Sequence, residues 1–159
     1  MKPCLYPVAQ LLPHAAPMLL LEEAIAYGDD AIQTGVTVRQ ESIFFRADRG
    51  IPAHVALEWM AQTCGAYIGV VALQQQQPVR IGYLLGTRDF QCDRAWFSLG
   101  EHLHVHARLL FRDDEMGVFD CRVTEAATDL DLARAQLTVY QPAERSVVPK
   151  AGGSQGVPT

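Results

Sequence analysis

The longest apolar stretch of the chain, from Ile51 to Gln77, predicts a buried helix. Apolar residues fall on nearly every side of the helical wheel, and Glu58 is the only formally charged residue of the stretch. Pro52 suits the first turn of a helix because its missing N–H has no intrahelical acceptor there, and Pro78 ends the helix. A helix that is apolar nearly all round is enclosed by the rest of the protein.

One narrow stripe along this helix, called the seam below, carries polar side chains at its N-terminal end and small residues beyond them. Steps of about 100° per residue place His54, Glu58 and Gln62 on one stripe, which Gly65 and Gly69 continue. An ionised glutamate that is buried without a partner costs several kcal/mol, so Glu58 needs a structural partner or a function. We expect the seam to receive an acyl chain or to pack closely against another helix.

The length of the apolar stretch alone also satisfies a membrane span, which needs about 20 apolar residues. The polar residues His54, Glu58 and Gln62 within the stretch argue against that interpretation. The other segments read as strands of a globular domain. We therefore expect no membrane segment.

Alternating apolar and polar residues predict antiparallel strands on both sides of the helix. The predicted strands are Met18–Tyr27, Ala31–Arg39, Arg80–Phe90, Glu101–Arg112, Gly117–Glu125 and Leu132–Tyr140. The first of them is ambiguous between a strand and a short helix, and the Gly-Asp-Asp turn signal that follows favours a hairpin. In Glu101–Arg112, the alternate residues from Leu103 to Phe111 are expected to share the apolar face.

These elements together predict an α+β fold in which an antiparallel sheet wraps around one long central helix. A sheet with one apolar face must curl over a helix that is apolar all round. We expect a single domain over residues 1–142. The Pro-, Gly- and Ser-rich residues 143–159 predict a flexible C-terminal tail.

Composition narrows the class of protein further. The chain has 159 residues, a formal net charge of −5 and four cysteines without a C-x-x-C pair. The acidic balance argues against nucleic acid as a partner, because phosphate binding needs a basic surface. The cysteines are expected to be reduced, small apolar residues. Prolines interrupt the N-terminal segment where a signal peptide needs a continuous apolar region, which predicts a cytoplasmic protein.

Three stretches resemble the β-hydroxyacyl-acyl carrier protein dehydratases, a family with the hotdog fold. Leu12–Leu20 is similar to the family's opening motif L-P-H-R-x-P-x-L-L. Pro52–Gln62 is similar to P-G-V-L-x-x-E-x-x-A-Q at the start of the family's central helix, and Gly82–Gly100 is similar to a later strand and turn. The segment Leu84–Arg88, with the sequence L-L-G-T-R, resembles more closely the dehydratase-like proteins of aryl polyene pigment clusters.

The resemblance implies a hotdog fold and a dimer whose sheets join, with substrate tunnels between the subunits. It implies an acyl carrier protein or a CoA-linked acyl thioester as the partner, with no metal and no cofactor. The second subunit is either another copy of the chain or a paralogous hotdog subunit. In the fatty acid enzymes a catalytic histidine lies in a G-H-F-P loop just before the helix, whereas residues 43–51 contain no histidine here.

Dehydration of a 3-hydroxyacyl thioester needs a base for the C2 proton and an acid for the leaving hydroxyl. Glu58 matches the glutamate of the family's central helix, and we expect it to be the acid because burial disfavours its charged form. His54 lies four residues earlier and is the expected base, since residues at i and i+4 are neighbours on a helix.

The remaining predicted contacts concern the thioester and the acyl chain. The backbone N–H groups of Ala53 and His54 at the helix N-terminus are expected to hold the thioester carbonyl. Gln62, Gly65 and Gly69 are expected to line the substrate path. Arg46 and Arg49 are expected to reach a phosphopantetheine arm or a carrier protein.

The other histidines are less suited to a catalytic or metal-binding role. His14 lies in the opening motif and is expected to be structural. His102, His104 and His106 share one strand face, a spacing that suits a shared zinc ion. No acidic or cysteine ligand accompanies them on that face, so a solvent-facing polar row is favoured.

The sequence thus favours a hydro-lyase: a (3R)-hydroxyacyl-acyl carrier protein dehydratase-like protein of fatty-acid or polyene-type synthesis. The loop without histidine leaves open a second hypothesis, a catalytically degenerate subunit that pairs with an active paralogue. A third hypothesis is a hotdog acyl thioesterase, in which the helix carboxylate activates water or attacks the thioester.

Overall fold

The computed structural model describes residues 1–142, and its main parts are a seven-stranded antiparallel sheet and one long helix. The strands are β1 (Lys2–Pro3), β2 (Glu23–Tyr27), β3 (Ala31–Thr37), β4 (Ile51–Pro52), β5 (Tyr83–Cys92), β6 (Trp96–Phe97), β7 (His102–Arg112), β8 (Met116–Glu125) and β9 (Asp131–Tyr140). The helices are α1 (Val8–Leu11) and α2 (Ala56–Gln74), and a 3-10 turn over Ala53–Val55 precedes α2. Helix α2 packs against β3, β7, β8 and β9, which confirms the predicted hotdog architecture.

The seven-stranded sheet has the order β1-β2-β3-β7-β8-β9-β5, and every neighbouring pair is antiparallel. Short polar turns close the β7–β8 and β8–β9 hairpins. In the first of these turns the Asp113 carboxylate accepts hydrogen bonds from the backbone N–H groups of Glu115 and Met116 at 2.9 and 2.7 Å. These bonds stabilise the charged form and lower the pKa of Asp113. Strand β5 ends the sheet, and no strand of the described residues pairs with its outer edge.

The core lies between α2 and the inner face of the sheet. Trp59 of α2 packs on Phe97 with ring centroids 5.0 Å apart, and Tyr67 meets Phe119 edge-on at 5.8 Å. Trp59, Phe97 and Phe119 are at most 1% exposed, and burial of a large apolar side chain of this kind contributes about 1.5–3 kcal/mol. By length and composition the helical segment Ala53–Gln74 satisfies a membrane span, but 67% of its most apolar window is buried inside this fold. Its apolar faces are therefore largely used by the protein's own core.

Two buried cysteines join α2 to the sheet by packing. The Sγ atoms of Cys64 and Cys121 lie 3.5 Å apart, and both thiols are free. Burial raises the pKa of the Cys64 thiol well above its usual value, since a thiolate is disfavoured away from water. Both residues thus behave as the small apolar residues that the sequence predicts.

One residue of β7, Phe111, lies on the opposite face of the sheet from the predicted face. The inner residues Leu103, Val105 and Ala107 are buried as expected, whereas Phe111 is 59% exposed. A register shift between Leu109 and Phe111, against β8, inserts one extra residue and reverses the alternation. A bulge of this kind is not visible in a period-two pattern.

The segment before β2 is extended, but its strand begins later than predicted. Strand β2 starts at Glu23, not at Met18, and two backbone groups of the preceding residues bond to a helix side chain instead of to a neighbouring strand. The Leu20 N–H donates to Oε1 of Gln62 at 2.9 Å, and the Met18 carbonyl accepts from Nε2 of the same side chain at 2.8 Å. The position of the domain boundary at residue 142 stays a prediction, because the predicted flexible tail lies outside the described residues.

Candidate active site

A groove of about 210 Å³ runs along α2, between the helix and the sheet edge formed by β5 and β9. Residues of α2 line one wall: Glu58, Ala61, Gln62, Gly65, Ile68, Gly69 and Ala72. The segment Leu12–His14 lines a second wall, and the third holds Val79, Arg80, Gly82, Tyr83, Leu84, Val139, Tyr140 and Gln141. The groove contains three of the predicted substrate-path residues, Gln62, Gly65 and Gly69, together with the predicted acid.

Glu58 presents a carboxylate to this groove from the first turn of α2. The side chain is partly buried, and its Oε1 accepts one hydrogen bond from Nε2 of Gln62 at 3.1 Å. Within residues 1–142 no lysine, arginine or histidine forms an ion pair with it. The groove therefore contains a carboxyl group whose side-chain partner among the described residues is a neutral amide.

Gln62 fixes the position of this carboxyl group. The residue is 1% exposed, and its amide group bonds to three places at once: the Glu58 carboxylate, the Met18 carbonyl and the Leu20 N–H. Each such bond contributes about 1 kcal/mol net, and a buried amide left without partners costs more than that. Gln62 therefore couples the segment that leads to β2 to the Glu58 side chain.

The two helix glycines have a second role besides lining the groove. A Cβ atom on Gly69 would lie within 2.9 Å of the Leu11 Cα atom, and one on Gly65 within 2.9 Å of the Leu12 Cδ2 atom. The bulk-free track of α2 thus receives α1 and the residue after it. Of the two occupants expected for that track, the close-packed helix is present within the chain, and the groove for an acyl chain lies beside it.

His14 lies in the same groove as Glu58. Its Nδ1 atom is buried and has no hydrogen-bond partner among the described residues. Buried side-chain nitrogens are hydrogen-bonded in the large majority of cases. The sequence predicts a structural role for this residue. The signal that could have identified it as a groove residue is the Leu-Pro-His opening motif.

His54, the predicted base, and Ala53, a predicted donor to the thioester, are not among the residues that line this groove. Residues 53–55 form a 3-10 turn with about 3.0 residues per turn instead of the first turn of the α-helix, which changes the angle between His54 and Glu58 around the axis. His54 is exposed, and it is not among the residues that line the groove. The Ala53 N–H donates to the Ala95 carbonyl oxygen at 2.9 Å, so it is not free to hold a thioester carbonyl.

The end of the groove remote from Glu58 carries polar and aromatic groups that the sequence did not indicate. Tyr83 and Tyr140 are paired across β5 and β9, and both line the groove. Arg80 lies beside them and donates from Nη1 to the Pro142 carbonyl at 3.2 Å. Only the cross-strand register brings these residues together, and a single sequence does not give that register.

The predicted row of histidines lies on β7 as expected, and each ring bonds to a neighbouring strand. His102 pairs with Thr37 at 3.0 Å, His104 with Gln33 at 2.7 Å, and His106 with Thr124 at 3.1 Å. Burial lowers the pKa of His106 to about 4, with the nearby Arg122 guanidinium acting in the same direction. The residues that the structure describes contain no cluster of three or more His, Cys, Asp or Glu side chains placed to hold a metal ion.

The sequence matches the family model "ApeP-like: ApeP dehydratase" over residues 6–149. The chain belongs to the ApeP-like dehydratase family. Comparison with curated protein sequences gives no significant match. Membership agrees with the resemblance that the three motifs indicated.

Solved structures support the same assignment. A chain of the dehydratase heterocomplex ApeI:P from Xenorhabdus doucetiae is 30% identical with a TM-score of 0.85, and the match covers 93% of this ApeP-like chain and 99% of that one. A zebra fish thioesterase superfamily member 2 is 12% identical with a TM-score of 0.61, covering 82% and 88% of the two chains. A hypothetical thioesterase with coenzyme A from Streptococcus pneumoniae TIGR4 is 14% identical with a TM-score of 0.58, covering 76% and 85%. The two thioesterases show the shared fold alone.

Proposed function

We propose that this ApeP-like protein dehydrates (3R)-hydroxyacyl groups carried as thioesters on an acyl carrier protein, in aryl polyene or related fatty-acid-type synthesis. The observation that carries the proposal is the position of Glu58 at one end of a long groove beside α2. From Glu58 to Ala72 the helix rises about 21 Å, at about 1.5 Å per residue, which is room for an extended acyl chain. The apolar lining of that path suits a hydrocarbon.

Glu58 is the proposed acid of the reaction. It gives its proton to the 3-hydroxyl group, so that the C3–O bond breaks and water leaves, while a base removes the C2 proton. The hydrogen bond from Gln62 orients the Glu58 carboxyl group toward the groove. The predicted base, His54, is exposed and does not line the groove, so its catalytic role requires a rearrangement or a contribution from another subunit.

We propose further that a second hotdog subunit, a paralogue, covers the free edge of β5. Tyr83, Leu84 and Leu85 on this edge are 52%, 41% and 57% exposed, and the first two also line the groove. An unpaired apolar strand edge is a pairing site for another chain. The similarity to a chain of a dehydratase heterocomplex supports a paralogue rather than a second copy as the partner.

The carrier protein is proposed to approach the loop before α2. Arg46 and Arg49 are both exposed there, and the Arg49 guanidinium lies over the Trp96 ring, 5.4 Å from its centroid. Exposed guanidinium groups suit the phosphate of a phosphopantetheine arm. The cytoplasmic location of the protein stays a prediction.

The experiment measures dehydration of 3-hydroxyacyl thioesters, and the reverse hydration of a crotonyl thioester, by the protein alone and mixed with a candidate paralogue. We expect turnover in the mixture, and we expect Glu58→Gln to lower kcat by about 10²–10⁴-fold. The exposed variant Glu41→Gln is the matched control and retains the parent rate. A Glu58→Gln protein with the parent rate would remove Glu58 from the mechanism.

Residues 43–51 contain no histidine. This observation favours a second candidate function, that of a catalytically degenerate subunit. Under that hypothesis the mixture is active, and Glu58→Gln in this chain leaves kcat unchanged. The thioesterase hypothesis is separated by the product. Free acid contradicts the dehydratase assignment, and enoyl thioester supports it.

A further inference from the structure

The chain after α1 runs along α2 toward the N-terminal half of that helix and carries His14 into the groove. The Leu11 backbone lies against Gly69, the Leu12 side chain lies against Gly65, and the Met18 carbonyl bonds to Gln62. As the segment proceeds from Leu11 to Met18, its contacts move from the middle of α2 toward the helix N-terminus. In sequence His14 lies between Leu12, which contacts Gly65, and Met18, which bonds to Gln62, and it lines the same groove as Glu58.

The His14 imidazole lines the groove, and one of its ring nitrogens has no protein partner among the described residues. Its Nδ1 atom is buried without a hydrogen bond among residues 1–142, and the residue lines the groove. An unpaired buried polar atom costs about 1–3 kcal/mol, and one that persists needs an explanation such as a catalytic or binding role. The packing of α1 on α2 and the hydrogen bonds of Gln62 hold the segment on both sides of His14.

None of the other four histidines lines the groove. All five histidines of the chain lie in the described residues. His54 is exposed beyond the start of α2, and His102, His104 and His106 bond to Thr37, Gln33 and Thr124 of neighbouring strands. Of the five, His14 is the histidine that shares the groove with Glu58.

We propose that His14 is the catalytic imidazole of this site, an inference that rests on the proposed dehydratase function. The neutral ring removes the C2 proton of the 3-hydroxyacyl thioester, and the C–H electron pair forms the C2–C3 double bond. The C3–O bond breaks, and the hydroxyl group takes the proton of Glu58 and leaves as water. The proton now on His14 then passes to the Glu58 carboxylate through a water molecule, which restores both groups for the next substrate.

The test compares His14→Asn and His54→Asn in the complete active complex, with 3-hydroxybutyryl-N-acetylcysteamine as the probe substrate. We expect His14→Asn to lower kcat by about 10²–10⁴-fold with little change in KM. The control His102→Asn, on an exposed strand position away from the groove, retains the parent kinetics. Thermal unfolding of each variant shows whether the fold persists.

If His14→Asn does not fold, a second measurement tests the role of His14. The Glu58→Gln protein, labelled with ¹⁵N in its histidine rings, is expected to bind the same thioester and to turn it over about 10²–10⁴-fold more slowly than the parent. A shift of the His14 ring nitrogen resonances on addition of the thioester, without a shift of the His102 signals, supports the proposal. Unchanged His14 signals at saturating thioester overturn it.

The kinetic outcomes separate this inference from the function on which it rests. An active complex in which His14→Asn keeps the parent kcat overturns the role of His14 and leaves the dehydratase assignment intact. If only His54→Asn loses kcat, the role of His14 is likewise overturned and His54 is the base. A complex that never dehydrates the thioester, with or without the paralogue, overturns the proposed function and the role of His14 together.

Discussion

The backbone of Leu11 occupies the space that a side chain at Gly69 would need. A Cβ atom at position 69 would lie 2.9 Å from the Leu11 Cα atom and closer still to the Leu11 carbonyl oxygen. This contact seats α1 on α2, and the chain that leaves α1 then forms one wall of the groove. The missing side chain of a helix residue thus helps to position His14, which follows α1 and lines the same groove as Glu58.

Gly69→Ala is expected to destabilise the protein by about 2 kcal/mol. Alanine favours a helix by about 1 kcal/mol over glycine, but the added methyl group meets backbone atoms and forces α1 to move. Gly65→Ala is the matched control, because its Cβ meets only the Cδ2 atom at the end of the Leu12 side chain and the two effects nearly cancel. Urea unfolding of both variants measures the difference. A Gly69→Ala protein more stable than the parent would contradict the contact.

Gln62→Met is expected to lower the free energy of unfolding by about 2–4 kcal/mol. The substitution keeps the approximate volume but removes the three hydrogen bonds of a buried amide, to the Met18 carbonyl, the Leu20 N–H and Glu58, and each contributes about 1 kcal/mol. Gln91→Met, on the exposed part of β5, is the control and changes stability by less than about 0.5 kcal/mol. Equal unfolding midpoints for the two variants would show that the Gln62 amide does not hold the segment.

The parts of this molecule that could be predicted from sequence follow from periodicity. Leu103, Val105 and Ala107 alternate with polar residues, and Trp59 belongs to a stretch without a polar face, so a curled sheet around a helix is the arrangement that buries both. The carboxylate of Glu58 was found by the same reasoning, as the one charge that such a helix encloses. Periodicity thus gives the elements and the faces that they bury.

The details that were missed depend on local geometry or on long-range contacts. The 3-10 turn at Ala53–Val55 changes the angle between His54 and Glu58, and no periodic signal distinguishes it from a first α-helical turn. The bulge before Phe111 reverses a face without altering the composition of the strand. The bulk-free positions on α2 were compatible with an acyl chain or with a helix, and only the position of Leu11 shows that α1 uses part of them.

The free energy of unfolding is expected to fall as the pH falls from about 6.5 toward 4, in part through His106. In the unfolded chain this histidine takes up a proton near pH 6.5, whereas burial holds its folded-state pKa at about 4. Between these values the unfolded state binds more protons, so acid favours unfolding, and above pH 6.5 the contribution is fully present. Because the ring is only partly buried, we expect about 1–2 kcal/mol from this group.

The groups around His106 define the control for that experiment. Arg122 and His104 disfavour its protonation, whereas Asp129 and Asp131 favour it. His106→Gln should remove part of the pH dependence between 4 and 6.5, and His102→Gln, at an exposed position of the same row, should leave it in place. Thermal unfolding across this range measures both. Parallel curves for the parent and His106→Gln would contradict the assignment.

Association through the free edge of β5 gives the last prediction. Leu85 is 57% exposed on this edge, and a lysine there blocks edge-to-edge pairing because it would bury a charge against the incoming strand. Leu85→Lys is therefore expected to abolish complex formation with the paralogue while the thermal unfolding midpoint of the isolated chain stays within a few degrees of the parent value. Leu130→Lys, at a 59% exposed position in the β8–β9 turn, is the matched control and should still associate. Size-exclusion chromatography with light scattering gives the mass of each species, and a Leu85→Lys protein that forms the parent complex would place the interface elsewhere.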